Sequence, residues 1–301
     1  QELAFTFCNA IAYVDAAIER GLDINKFSKR ISFFFNCHNN FFEEIAKFRA
    51  ARVIWAKIIK ERYGATDANA MKCRFHTQTA GSSLQAQQIE NNVVRTTLQA
   101  TAAVLGGTQS LHTNSKDEAL SLPTEEATKI ALRTQQIIAY ETGVADVVDP
   151  LSGSHYIEDL TEKIEYETFS LIKEVDDLGG AIKAIENNFQ ENKISESAYK
   201  YQKKIEGNSQ IIVGTNKFKE KDVIKNKTLK VNQVAIDKQL KRLKKFKENR
   251  NFELSKKALS NLDILVKKNS NLLDGIIACI KADCTLGEIT HTLKNHFGEH
   301  R

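Results

Sequence analysis

Proline is nearly absent: Pro123 and Pro150 are the only two in 301 residues. Proline breaks helices, so its scarcity leaves room for long ones. Long apolar runs are missing as well. None approaches the roughly 18 to 20 residues that a transmembrane helix needs, so no membrane partner is expected. The opening stretch QELAFTFCNAIAYVDAAIERG is interrupted by acids and has no basic leader, which is not a secretory signal pattern. It starts on Gln1 rather than Met, as a lost or processed start would. Cysteine is sparse and odd in number: Cys8, Cys37, Cys73, Cys279 and Cys284. Scattered thiols in a chain of this length fit a reducing, cytoplasmic setting. Cys279 and Cys284 precede His291 and His296, but the gaps do not match zinc-finger spacing. Roles in a helical core are expected for the cysteines, and no metal site.

Charge of one sign does not dominate either. The formal net charge is +5, with 27% charged and 42% hydrophobic residues, an ordinary globular balance. Lysines concentrate between Lys217 and Lys247. No aromatic stacking platform is interleaved with them, so a solvated helical face is expected there rather than a nucleic-acid site. There is no internal repeat and no Gly/Ser linker.

What the chain does have is a polar stretch from Lys72 to Leu122, KCRFHTQTAGSSLQAQQIENNVVRTTLQATAAVLGGTQSLHTNSKDEALSL. Two strand-like runs, Cys73 to Thr79 and Thr108 to Thr113, flank a helix expected from about Gln85 to Leu105. Both runs mix apolar residues with Arg, His, Gln, Thr and Asn. Buried polar groups cost free energy unless each finds a partner. Two such strands in succession therefore point to a polar ligand site. Strand parity puts His76 and Gln78 on one face. Gly81 follows, where a ligand could approach the backbone closely. Asn114 and Glu118 lie in the polar turn after the second run.

Upstream, Leu3, Phe7, Ile11, Val14 and Ile18 mark a helix that stops at Gly21. The run from Arg30 to Phe35 is dense in strand-formers, and as a strand it would put Arg30, Ser32 and Phe34 on one face. An Arg fork beside a Ser suits phosphate or carboxylate. Asn40 with Glu43 resembles a capping box. It opens a helix whose stripe is Phe41, Ile45, Phe48, Ala51, Trp55 and Ile58. Pro123 and Thr124 open another helix, which stops at Gly143. A long helix before Gly179-Gly180 and a short β-like run at Ile211 to Val213 follow. The alternation of helix and strand means parallel strands with helical crossovers. The short connections favour a (β/α) barrel, whose ligand groups come from the C-terminal strand ends. The fold class is α/β, with barrel residues 1–216 and a charged helical extension over 217–301.

The motifs RISFF, FHTQTAG and GGTQSLHTNSKDEAL, in this order, with DPLSGS and VGTNKF, resemble the acyl-CoA mutases that use adenosylcobalamin. Among these, the chain is similar to the large subunits of methylmalonyl-CoA mutase and of its isobutyryl-CoA and 2-hydroxyisobutyryl-CoA cousins. The resemblance implies the C-terminal part of a (β/α)8 TIM barrel, about its last three strands, followed by a helical extension. It implies an isomerase that rearranges the carbon skeleton of an acyl-CoA by radical chemistry, such as methylmalonyl-CoA to succinyl-CoA. An alternative is an isobutyryl-CoA or 2-hydroxyisobutyryl-CoA mutase, or a non-catalytic mutase-like partner-binding protein.

Residue by residue, the resemblance assigns Arg30 and Ser32 to the CoA part of the substrate, with Phe34 beside them. It places His76, Gln78 and Gln109 in the catalytic cavity. Gly81, Asn114, Glu118, Ser121 and Leu122 fall at positions beside the corrin and adenosyl groups. Ser82 stands where methylmalonyl-CoA mutases typically carry Trp, and FFFNCHNNFFEEIAKFRAAR is closer to the isobutyryl-CoA and archaeal-type large subunits. No Asp-x-His-x-x-Gly motif occurs, so a separate small cobalamin-binding subunit is expected to supply the cobalt ligand, alongside further mutase subunits. The family's catalytic His and carboxylate-binding Arg would lie upstream of Gln1, so this chain alone is expected to be inactive.

Overall fold

The computed structural model describes residues 1–220 and 232–299. The chain divides into two compact units, Gln1–Leu229 and Lys230–Arg301. The lysine-rich stretch beyond Lys217 falls partly on 221–231, outside the described residues. Among the described residues, no helix is long and apolar enough to cross a membrane.

In the first unit the elements run α1 (Glu2–Glu19), α2 (Ile24–Phe27), β1 (Phe33–Cys37), α3 (Phe41–Lys57), β2 (Phe75–Thr79), α4 (Asn91–Leu105), β3 (Ser110–His112), α5 (Glu125–Glu141), α6 (His155–Asp177), α7 (Ala181–Glu186) and α8 (Phe189–Glu206). The three strands form one parallel sheet in the order β1-β2-β3. Parallel neighbours require crossovers, and α3 and α4 supply them.

Alternation sorts the strand residues onto two faces. Phe33, Phe35 and Cys37 of β1 and Phe75, Thr77 and Thr79 of β2 are buried. An aromatic cluster fills the space beneath them. Trp55 of α3 meets Phe33 edge-on at 4.8 Å, Phe7 of α1 lies 5.7 Å from Trp55, and Phe48 of α3 stacks on Phe75 at 5.2 Å. Each large ring buried in this way contributes on the order of 2 to 3 kcal/mol. The other face is open. Phe34 is 59% exposed although Phe35 beside it is fully buried.

Several boundaries differ from the sequence expectations, each for a local reason. Arg30 is not in the strand: Ser28–Arg30 forms a 3-10 turn, closed by Ile31 N–H on the Ser28 carbonyl at 3.1 Å. Extended pairing therefore starts at Phe33, and strand parity does not reach Arg30. The helix expected from Gln85 starts only at Asn91, because Gln88 has φ 47°, which an α-helix cannot contain. Its buried face is Asn92, Thr96, Gln99 and Ala103. The Asn40–Glu43 capping box does not form. The Asn40 amide donates to the Glu43 carboxylate instead of accepting from the helix. Ile211 to Val213 is not a strand. Gly214 (φ +82°) turns the chain, leaving one isolated bridge between Val213 and Lys217.

The second unit is helical: α9 (Gln233–Asn249), α10 (Phe252–Lys267), α11 (Leu273–Lys281) and α12 (Leu286–Phe297). Ala258, Leu262, Cys279, Cys284 and Ile289 form its small core. Thr285 and Glu288 cap α12 reciprocally, and Arg250 grips Glu288 with two bonds of 2.6 Å. All five cysteines are buried, and burial pushes the Cys279 thiol up to about 11.

Candidate active site

The open face of the sheet carries two cross-strand rows. Register pairs Phe34 with His76 and His76 with Ser110 in the first, and Asn36 with Gln78 and Gln78 with His112 in the second. In the first row the His76 imidazole Nδ1 lies 2.7 Å from Ser110 Oγ, and the Phe34 ring tilts against it with centroids 4.8 Å apart. Two different neighbours thus orient the imidazole. In the second row Gln78 Nε2 donates to Asn114 Oδ1 at 2.9 Å. Asn114 is itself fixed to the end of β2: its N–H donates to Thr79 Oγ1 and its Nδ2 to the Thr79 carbonyl, both at 2.9 Å.

Beyond the C-terminal ends of β2 and β3, Gly81, Asn114 and Glu118 come together. A Cβ on Gly81 would sit 2.7 Å from Glu118 Oε1 and 3.1 Å from Asn114 Nδ2. The missing side chain is what allows this approach. Partial desolvation raises the carboxyl of Glu118, an exposed residue, from its usual value, against the charge of nearby His112.

The residues singled out from sequence therefore fall into separate groups. His76, Gln78 and Phe34 share the open face. Gly81, Asn114 and Glu118 form one cluster at its C-terminal end. Ser121 and Leu122 lie in the turn that follows, with Ser121 Oγ donating to the Leu122 carbonyl and Leu122 exposed. Arg30 and Ser32 stand ahead of β1, at its N-terminal end. The five residues of β1, at about 3.3 Å each, put about 17 Å between the two ends. Gln109 is not on the open face. Its Oε1 accepts the Phe75 N–H at 2.7 Å and its Nε2 donates to the Gly107 carbonyl at 2.8 Å. It fastens the start of β3 to β2.

Ser110, His112 and Asn36 were not among the candidates, though period-two parity along the two strands points to them. Gln99 was also missed. Its Oε1 accepts the Ala80 N–H at 2.9 Å, and its Nε2 donates to Ser83 Oγ at 2.7 Å and Asn39 Oδ1 at 2.6 Å. It thereby fixes the turn on which Gly81 stands. The only signal for it is a polar stripe on a helix that is otherwise rich in alanine. Among the described residues, no group of three or more His, Cys, Asp or Glu side chains could hold a metal ion. His296 pairs instead with Asp263, 2.5 Å away.

The sequence model of the methylmalonyl-CoA mutase family matches residues 1–299. The 2-hydroxyisobutanoyl-CoA mutase large subunit of Aquincola tertiaricarbonis is 43% identical over 303 residues, covering 100% of this chain and 54% of that protein. The methylmalonyl-CoA mutase of Rhizobium meliloti is 42% identical, covering 100% of this chain and 42% of that protein. A probable mitochondrial methylmalonyl-CoA mutase of Caenorhabditis elegans is 41% identical over 99% of this chain and 40% of its own length. The chain thus spans about half or less of the relatives it matches. It belongs to the methylmalonyl-CoA mutase family.

Proposed function

We propose that this chain is part of the large, substrate-binding subunit of an adenosylcobalamin-dependent acyl-CoA mutase. Such an isomerase rearranges the carbon skeleton of a short acyl-CoA, and methylmalonyl-CoA to succinyl-CoA is the model reaction. The observation that carries the reading is the open polar face of a parallel sheet otherwise packed for burial. His76, Gln78, Ser110 and His112 line one side of a sheet whose other side is sealed by aromatic rings. Parallel sheets are almost always covered on both faces. An open polar face fits a barrel interior, so β1 to β3 are three strands of a (β/α)8 barrel completed by further residues. The second unit, or the chain from about residue 217, is the helical extension.

When bound, adenosylcobalamin would supply carbon-centred radical chemistry. The Gly81–Asn114–Glu118 cluster fits a large flat ring system with a ribose beside it. Gly81 leaves the close approach open, the Glu118 carboxylate can accept ribose hydroxyl hydrogen bonds, and exposed Leu122 offers an apolar edge. Residues 1–301 contain no Asp-x-His-x-x-Gly motif to ligate the cobalt. The chain's own residues then bind, orient and exclude water. Arg30 and Ser32 hold the CoA portion at the N-terminal strand ends, and the thioester lies along the face toward His76. His76 is held by Ser110 and Phe34, so it presents its second ring nitrogen, Nε2, to the thioester carbonyl without reorganising. Gln78, anchored by Asn114, fixes the level at which acyl group and cofactor meet.

The test is the full-length protein combined with adenosylcobalamin, its cobalamin-binding subunit and short-chain CoA thioesters, with isomeric products separated by chromatography. Cobalamin-dependent isomerisation is expected. Full-length protein that binds neither CoA thioester nor the small subunit would sink the proposal.

A further inference from the structure

Helix α11 of the second unit ends in a well-defined cap. Asp283 has φ 59°, in the left-handed region, and two hydrogen bonds close around it. The Cys284 N–H donates to the Cys279 carbonyl at 2.9 Å, and the Asp283 N–H to the Ile280 carbonyl at 3.1 Å. This is the Schellman pattern, in which the first residue of the last turn faces the second residue beyond the helix. Here both of those residues are cysteines. Cys279 and Cys284 lie together in the core of the second unit, and their thiols interact with each other. Cys279 is fully buried, whereas Cys284 is 8% exposed. Its Sγ makes only a long contact, 3.5 Å, to the Ser255 carbonyl of α10. Cys8, Cys37 and Cys73 are buried in the first unit instead. The facing of the two thiols is thus imposed by a local turn, within a unit that has its own core.

We propose that Cys279 and Cys284 are a reversible redox site, a dithiol that closes to a disulfide across the end of α11 when it meets a small disulfide oxidant such as oxidised glutathione. The site is independent of the mutase reading. Cys284, the thiol with a path to solvent, starts the exchange. Its thiolate attacks one sulfur of the oxidant, the S–S bond of the oxidant breaks, and one glutathione thiolate leaves. The Cys279 thiolate then attacks the Cys284 sulfur and displaces the second glutathione. The two cysteine protons end on the two released thiols, and two electrons pass from the cysteines to the oxidant. Burial raises both thiols, Cys279 to about 11, so the resting pair is protonated and reacts slowly. Proximity rather than acidity selects it, because the resolving thiol is already in place. Closure draws Cys284 off Ser255 and fastens the end of α11 to the chain just ahead of α12.

The test equilibrates the full-length protein in glutathione buffers of rising oxidised content. Samples are quenched with acid, unfolded, alkylated and cut after glutamate. The fragment 254–288 carries both cysteines. In oxidising buffer it is expected to take up no alkyl group and to weigh two hydrogens less than its dithiol form, and excess reduced glutathione should reverse this. Cys8, Cys37 and Cys73 should remain alkylatable throughout. A parallel series in urea separates the fold from mere closeness in sequence. The native protein should reach half closure at an oxidised-glutathione concentration at least about tenfold lower than the unfolded chain. Two alkylated cysteines in fragment 254–288 at every ratio, closure no easier in the native protein than in urea, or oxidation of the first-unit cysteines ahead of this pair would each overturn the proposal.

Discussion

Replacing Lys47 with Met should destabilise the sheet edge severely, and the structure sets the size of the effect. The ammonium makes three bonds, to Glu2, Glu44 and the Asn36 carbonyl, at 2.6 to 2.7 Å. Its side chain is 10% exposed and that of Glu44 is 9%, whereas that of Glu2 is 35% exposed. Removing the cation lets Glu2 turn to water but leaves Glu44 as an uncompensated buried charge. Breaking a buried pair in this way costs about 3 to 5 kcal/mol. Burial alone would lower the Lys47 pKa, but Glu2 and Glu44 overcome it and raise the pKa above the usual lysine value. A raised lysine stabilises at every pH below its unfolded value, and the contribution fades only as pH rises through the higher folded one. The loss in Lys47→Met should therefore be complete at neutral pH. Native-state hydrogen exchange on peptides spanning residues 33–55 measures it locally. Lys47→Met with Glu44→Leu should recover most of the loss, since an apolar pair can replace a buried ion pair. A single variant that costs less than about 1 kcal/mol, or a double variant as unstable as the sum of the singles, would refute this reasoning.

Three further outcomes follow. Gly81→Val drives a side chain into Glu118 and Asn114. Both obstacles are side-chain ends, so thermal stability should barely change while adenosylcobalamin affinity, read by absorbance titration of the assembled enzyme, falls at least about tenfold. Glu118→Gln should raise Tm at pH 7. Partial desolvation lifts the folded-state carboxyl pKa of this exposed residue, so stability is lost as pH rises through it; the gain should be small, and it should vanish below the ordinary Glu value of 4.5. Glu288→Gln should weaken the second unit by about 2 kcal/mol, measured by exchange in α12. Arg250 holds the Glu288 carboxyl below its usual range, so wild type should lose this stability as pH falls below 4.5 while the variant stays flat.

The alternation of helices and parallel strands was readable in the sequence, because apolar stripes and Gly stops are local signals. Ile45, Phe48, Ala51 and Trp55 of α3 are buried as their spacing requires. His76 and Gln78 were likewise placed by parity alone. Gln109 entered instead through the family resemblance. It is the most polar residue of its run, yet parity groups it with Leu111 and leaves Ser110 and His112 for the open face. The start of β1 was misplaced because Arg30 and Ile31 are compatible with a strand. What diverts them is the tie of Ser28 Oγ to the Ala70 carbonyl at 2.6 Å, 42 residues away. The polar contacts of Asn92, Gln99 and Lys47 are tertiary in the same sense. Their partners lie on other elements, so sequence spacing carries no trace of them.

The imidazole of His76 is the group on which the account rests most heavily. In the assembled enzyme His76→Ala should remove one oriented hydrogen bond in a dry site, about 2 to 4 kcal/mol at the transition state, or about two to three decades in turnover. Its partners Ser110 and Phe34 both lie on the open face, so the fold should lose little. The measurement is steady-state kcat beside a thermal melt and a cobalamin titration on the same preparation. Turnover should fall at least about a hundredfold, with melting temperature and cofactor affinity close to wild type. Wild-type turnover with a lowered melting temperature would make His76 a structural residue and contradict the account.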